Sequence, residues 1–153
     1  MKTLKIFFII AIVSNFTQCK TMKLTDNPPF EINGATYNNW VGGQPGVSGM
    51  KVNIGVNTDK EITFNTMYFY KMSTKVEIKT VKGKKYVVGH FNTSTHDQDM
   101  LVEPNMEKKK KEHKEEKHFD LKENEAVISY TIGAKTKYYK VTNIKRTKTD
   151  FYP

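Results

Sequence analysis

The strongest constraint on the fold is a segment in which every second residue is apolar. Residues 50–56 read MKVNIGV, so that Met50, Val52, Ile54 and Val56 alternate with smaller or polar side chains. Successive side chains of an extended strand point to opposite faces of a sheet. The segment is therefore predicted to be a β-strand with one buried face and one solvent-facing side.

The same period of two recurs along the chain. Ile62 and Phe64 follow one phase of this alternation, whereas Met67 and Phe69 follow the other. The change of phase predicts a β-bulge near Asn65 and Thr66. The sequence KGKK at 82–85 predicts a hairpin turn, and GAK at 133–135 predicts another. Strands are predicted at 30–37, 50–56, 62–69, 76–79, 86–91, 126–132 and 138–144.

About seven short strands separated by turn signals are typical of a single antiparallel β-sandwich. No segment from residue 30 onward has a long apolar period of 3.6 residues, so βαβ units are not expected. The length of 153 residues suits one domain, and 12% aromatic residues indicate a packed core.

One segment breaks the strand pattern. Residues 103–118 read EPNMEKKKKEHKEEKH, with charge throughout and no apolar face. Such a block has nothing to pack against a core, so we expect a solvated loop insertion between two strands. The formal charge of the whole chain is +9. No basic stripe is interleaved with stacking aromatics, and nucleic acid is therefore not an expected partner.

The N-terminus has the three parts of a signal peptide. Lys2 and Lys5 precede the apolar run IFFIIAIV at 6–13, and a short polar stretch follows. Eight apolar residues are too few to span a bilayer, which requires about 20. Residues 1–18 are accordingly predicted to be a cleaved signal peptide. Cys19, the one cysteine of the chain, follows directly and cannot form an internal disulfide.

The sequence FTQC at 16–19, with Lys20 after the cysteine, resembles the relaxed lipobox of Bacteroidota lipoproteins, although Phe16 and Gln18 depart from the commonest pattern. The resemblance implies a covalent lipid on Cys19, and two or three acyl chains anchor a protein stably to a membrane. No acidic cluster follows the cysteine. By analogy we expect an outer-membrane anchor that faces the periplasm.

Residues 19–29 end in Asn-Pro-Pro and are predicted to be a lipidated tether, so that the folded domain comprises residues 30–153. Residues 121–127 resemble the strand entry of immunoglobulin-like domains, with Asn124 in a left-handed conformation. Residues 30–49 and 121–144 together resemble small uncharacterised flavobacterial lipoproteins. That resemblance implies an immunoglobulin-like β-sandwich and a place in the envelope, but no reaction.

Two features near residue 40 are candidate sites. The loop VGGQPGVSG at 41–49 is glycine-rich, but a predicted strand follows it and the Lys-Ser/Thr pair of a phosphate loop is missing. We therefore interpret it as a turn between strands. Trp40 beside it is a candidate binding residue, because aromatics at loop tips anchor partners. The alternative is a core tryptophan at the end of the sandwich.

Histidines and methionines in the second half of the chain suggest metal binding as an alternative. The candidate ligands are His96, His113 and His118, with thioethers at Met100 and Met106 that would suit copper. His113 and His118 are five residues apart in the predicted loop, a spacing that does not align well on one helix face. Solvated loop residues are the simpler interpretation.

No nucleophile with a matching base is recognisable, so an enzyme is not expected. No cofactor is predicted beyond the lipid on Cys19. The sequence favours a membrane-anchored envelope lipoprotein that is a non-catalytic binding or structural module for an envelope protein or glycan. The alternatives are a periplasmic copper- or zinc-handling lipoprotein and an envelope inhibitor or immunity-type protein.

Overall fold

The computed structural model describes residues 23–94 and 119–153, and these ranges contain strands and no helix. Seven long strands and two short ones form the domain. They are β1 (Glu31–Val41), β2 (Ser48–Asn57), β3 (Thr63–Phe69), β4 (Met72–Val81), β5 (Lys84–Asn92), β6 (Ala126–Ile132), β7 (Lys135–Val141), β8 (Lys145–Arg146) and β9 (Asp150–Phe151). The predicted all-β sandwich is confirmed. Within the described ranges no helix has the length and apolar character to cross a membrane.

The strands follow the order β7-β6-β3-β4-β5-β2-β1-β8, and β9 also pairs with β1. β4 belongs to both halves of this arrangement, because Met72–Lys75 pairs with β3 whereas Val76–Val81 pairs with β5. One half is thus β7, β6, β3 and the start of β4. The other half is the remainder of β4 with β5, β2, β1 and the two short strands.

The two halves share one hydrophobic core. The ring of Phe69 in β3 lies 5.1 Å from that of Tyr37 in β1 and 6.0 Å from that of Phe91 in β5. Phe30, just before β1, packs edge-on against Phe64 and Tyr130 at 5.2 and 5.0 Å. The buried cluster comprises Phe30, Tyr37, Val52, Ile54, Val56, Phe64, Met67, Phe69, Val87, Phe91, Ala126, Ile128, Tyr130, Val141 and Ile144.

Several local predictions are confirmed. The pairing of β3 with β6 shifts register between Phe64 and Met67, which is the expected bulge. The β4–β5 hairpin turns at Lys82 and Gly83, both with positive φ, and the β6–β7 hairpin turns at Gly133. Two-residue hairpin loops need positive φ in this way because their twist must match that of the flanking strands.

Other expectations need correction. The sheet is mixed, because β8 and β9 run parallel to β1. Asn124 was expected in the left-handed region, but its φ is not positive, and Asn143 at φ 58° adopts that conformation instead. The immunoglobulin-like arrangement stays a prediction.

Ordered contacts with the domain begin before Phe30. Leu24 forms a parallel bridge with Tyr138, and the Thr25 N–H donates to the Tyr138 carbonyl at 2.7 Å. The tip of the predicted tether therefore covers part of the outer edge of β7. The predicted signal peptide at 1–18 and the charged insertion at 103–118 lie outside the described residues.

Candidate functional site

A cleft of about 920 Å³ opens beside the turn between β3 and β4. Three parts of the chain line it: Tyr68 with the turn and first residues of β4 at 70–74, the end of β5 at 90–92, and Phe119 with Asp120. The volume lies within the range of about 300–1,000 Å³ that is typical of small-ligand sites. The strand order brings these parts together, because β4 pairs with both β3 and β5.

Aromatic rings form one wall of the cleft. The ring of Phe119 lies 4.8 Å from that of Tyr68 in an edge-to-face arrangement and 5.7 Å from that of Tyr138. Val127, directly opposite Tyr68 in β6, is completely buried although it points away from the core. The aromatic cluster of Tyr68, Phe119 and Tyr138 thus lies on an apolar patch of the outer sheet face. It presents aromatic surface to the cleft.

Tyr70 is the most unusual residue of the cleft. It lies in the two-residue turn that joins β3 to β4, with φ at 52°. Only Gly visits that left-handed region routinely, and other L-residues pay roughly 1–2 kcal/mol. The Tyr70 ring packs on Phe69 at 4.6 Å. Backbone strain of this kind is concentrated at functional sites, which makes the turn a candidate for one.

The phenol of Tyr70 is also perturbed. Desolvation by burial is the largest cause that raises its pKa from 10.0 to about 12, and its hydrogen bond with Tyr37 is the next. Tyr70 therefore stays neutral at physiological pH and offers its hydroxyl as a hydrogen-bonding group rather than as a base.

Apart from Met72 and Phe91, the rest of the lining is polar and carries charges of both signs. Lys71 and Asp120 are exposed at the rim. The His90 side chain is 46% exposed, with its Nε2 3.7 Å from Glu77 Oε2. Hydroxyl and amide groups are supplied by Ser73, Thr74 and Asn92. A cleft with aromatic walls, hydroxyl groups and balanced charge suits a ligand that has apolar faces and many hydrogen-bonding groups.

Trp40, the binding residue proposed from the sequence, lies elsewhere. It is half-buried near the end of β1, and its ring lies 6.2 Å from that of Tyr152. Gly49 makes this position possible, since a Cβ at that residue would lie 2.5 Å from two carbons of the indole. Trp40 is therefore a surface aromatic held by the C-terminal segment, not the core tryptophan of the alternative interpretation.

The glycine-rich segment after Trp40 is a turn, as predicted. The Gly42 N–H donates to the Val47 carbonyl at 2.9 Å, and the Val47 N–H donates to the Gln44 carbonyl at 3.2 Å. Gly46 takes a positive φ of 81°. The backbone amides of Gly42 and Val47 thus close the turn, and β2 follows directly.

The remaining predicted site residues lie outside the described ranges. These are the lipidation residue Cys19 and the metal candidates His96, His113 and His118, together with Met100 and Met106. Within residues 23–94 and 119–153, no three His, Cys, Asp or Glu side chains are placed to share a metal ion.

Sequence reasoning missed the whole cleft. Tyr68 belongs to the predicted strand at 62–69, which indicates only packing. Tyr70 follows that strand, and Phe119 lies about fifty residues further along the chain. The one usable signal was the turn itself, because Tyr70-Lys71 joins two strands without a Gly, Asn or Asp.

Comparisons with protein-family models, curated proteins and solved structures find no match to this chain.

Proposed function

We propose that the chain is a lipid-anchored envelope protein that acts as a non-catalytic binding module, with a glycan held in the cleft beside the β3–β4 turn. The single observation that supports a glycan ligand is that Tyr68, Tyr70 and Phe119 line a cleft of about 920 Å³ together with polar groups. Sugar rings present flat C–H faces that pack on aromatic rings, and their hydroxyls match the hydrogen-bonding groups of the lining.

The charges of the cleft support a glycan that is neutral or carries isolated charges rather than a polyanion. Lys71 contributes a positive charge to the lining and Asp120 a negative one. A binding site for a polyanion contains several positively charged side chains and few negative ones, as phosphate-binding surfaces do. Among the described residues, Lys79, Lys82, Lys84 and Lys85 of the β4–β5 hairpin are exposed and do not line this cleft.

The test of the ligand is a glycan array of bacterial envelope fragments followed by calorimetry on each hit. Lys71→Ala should weaken binding by about tenfold, which is the loss of one charge-assisted hydrogen bond of about 1.4 kcal/mol. Lys82→Ala is the matched control, because Lys82 occupies the equivalent turn of the next hairpin, and it should leave affinity unchanged. An array without hits, or equal losses in both variants, would contradict the proposal.

The test of the anchor is separate from that of the ligand. Cells that express the chain are fed a radiolabelled fatty acid, and the protein is then examined by electrophoresis and mass spectrometry. The proposal expects label on the chain and an N-terminus at Cys19, both lost in Cys19→Ser. An unmodified chain that begins at Met1 would refute the anchor without touching the cleft.

A further inference from the structure

The second half of β4 has an open edge. Val76–Val81 pairs with β5 on one side, whereas the pairing of β4 with β3 ends at Lys75. Among the described residues, no strand pairs with the other side of this segment. An open edge presents unpaired backbone N–H and C=O groups, and these are a template for another strand.

The hairpin turn determines which backbone groups face the open edge. Lys82 and Gly83 form a two-residue turn, so Val81 and Lys84 exchange the hydrogen bonds that close it. Groups alternate along a strand, and the N–H and C=O groups of Val81, Lys79 and Glu77 therefore point to β5. Those of Val76, Ile78 and Thr80 point to the open edge.

The exposed side chains of this segment match a second copy of it. Ile78 and Val81 are 47% and 53% exposed, which is unusual for large aliphatic residues of a strand. Glu77 and Lys79 are 58% and 47% exposed and lie on the opposite sheet face from Ile78. Their charges are opposite, and they flank Ile78 symmetrically in the sequence.

Only one antiparallel register suits two copies of this edge. In this register Ile78 lies opposite Ile78 of the second chain, and Val76 lies opposite Thr80. The backbone groups of these residues face the open edge, so the two strands can form about six hydrogen bonds with each other. In that register each Glu77 lies opposite Lys79 of the other chain. A shift to a neighbouring allowed register places Glu77 opposite Glu77, or Lys79 opposite Lys79, and like charges directly opposite are destabilising.

We propose that two chains associate through β4, with antiparallel pairing of Val76–Val81 about a two-fold axis at Ile78. The interface is isologous, as in most homodimers. It covers Ile78 with its own copy. Glu77 and Lys79, which pair with each other at 3.2 Å within one chain, also come to lie opposite Lys79 and Glu77 of the second chain. The inference goes beyond the glycan-binding proposal and does not depend on it, because the open edge is not part of the cleft.

The first test is the mass of the full chain in detergent with micelles in excess, measured by sedimentation equilibrium over a concentration series. The apolar N-terminal run can itself hold chains together, so charge variants decide the outcome. Glu77→Lys replaces two attractive charge pairs of the interface with two repulsive ones and should weaken association by roughly tenfold or more. Glu77→Lys combined with Lys79→Glu should restore it.

The second test is cross-linking in a Cys19→Ser background. In an antiparallel hydrogen-bonded pair the two Cα atoms lie about 5.5 Å apart, a separation that a disulfide spans. Ile78→Cys should therefore form a covalent dimer on mild oxidation. Val81→Cys is the matched control, since in this register the two copies of Val81 are offset by six residues, roughly 20 Å along the strands, and should cross-link far less.

Three results would overturn the proposal. One is a monomer at every concentration, and another is a dimer equally strong in the Glu77→Lys variant and in the double exchange. The third is equal cross-linking at positions 78 and 81. Ile78→Pro guards against misfolded variants, because it removes only an open-edge N–H and should give a folded monomer.

Discussion

The hydroxyl of Tyr130 offers a sharp test of the core. The side chain is fully buried, and among the described residues the hydroxyl has no hydrogen-bond partner. Leaving a buried hydroxyl unpaired costs about 1–3 kcal/mol, because its hydrogen bonds to water are lost on folding and not replaced. Tyr130→Phe removes that cost and keeps the ring contact with Phe30 at 5.0 Å. The small cavity left by the missing oxygen destabilises the folded state and so offsets part of this gain in stability.

Tyr130→Phe is therefore expected to raise the free energy of unfolding by about 1 kcal/mol, or to raise Tm by roughly 4 °C for a domain of this size. Urea denaturation measures it, with an unchanged m-value as the sign that the unfolded state is unaffected. Tyr139→Phe is the control, because Tyr139 also packs on Phe30, at 5.6 Å, but is only half-buried. A loss of more than 1 kcal/mol in Tyr130→Phe would show that the hydroxyl is hydrogen-bonded and refute the reasoning.

Three further predictions concern the scaffold. Lys82→Asn should stabilise the domain by about 0.5 kcal/mol, because Asn tolerates the positive φ of 50° better than Lys and gives the Asn-Gly pair that this turn favours. A lower Tm than that of the unchanged chain in thermal melting would contradict this prediction. Gly49→Ala should cost about 1–3 kcal/mol in urea denaturation, since its Cβ would lie 2.5 Å from the Phe91 carbonyl oxygen as well as from the Trp40 ring; a neutral result would refute the position of Trp40. The backbone N–H of Lys122 and then the Lys140 ammonium lower the pKa of Glu125, so its contribution to stability is present above the ordinary carboxyl pKa and lost as pH falls through the lowered value. Glu125→Gln should accordingly reduce the loss of stability on acidification, and an unchanged acid limb of the urea midpoint against pH would count against this ion pair.

The strands could be predicted because burial on one face imposes a period of two on the sequence. The bulge between Phe64 and Met67 was visible for the same reason, since an extra residue inverts the phase. The passage of β4 from one half of the sandwich to the other was not visible. Its alternation continues without interruption through Lys75 and Val76, although its pairing partner changes there.

The candidate site could not be predicted because it depends on contacts that no local pattern encodes. Phe119 meets Tyr68 only once β3 and β6 pair and expose the outer face over Val127. Tyr70 follows the predicted strand at 62–69, and a tyrosine does not indicate the left-handed turn that the structure shows there. A core position is the alternative expectation for Trp40 because large aromatics dominate cores, whereas Gly49 provides a surface position for it.

The most direct test of the central claim, that the cleft beside the β3–β4 turn binds a glycan, is a map of the binding surface by NMR. The ¹⁵N-labelled protein is titrated with the envelope glycan that binds best on the array, and amide shifts are followed residue by residue. Binding in the cleft predicts the largest shifts at Tyr70, Ser73, His90 and Phe119, with saturation at one affinity. Shifts confined to the surface around Trp40, or no saturable shifts with any array glycan, would contradict it.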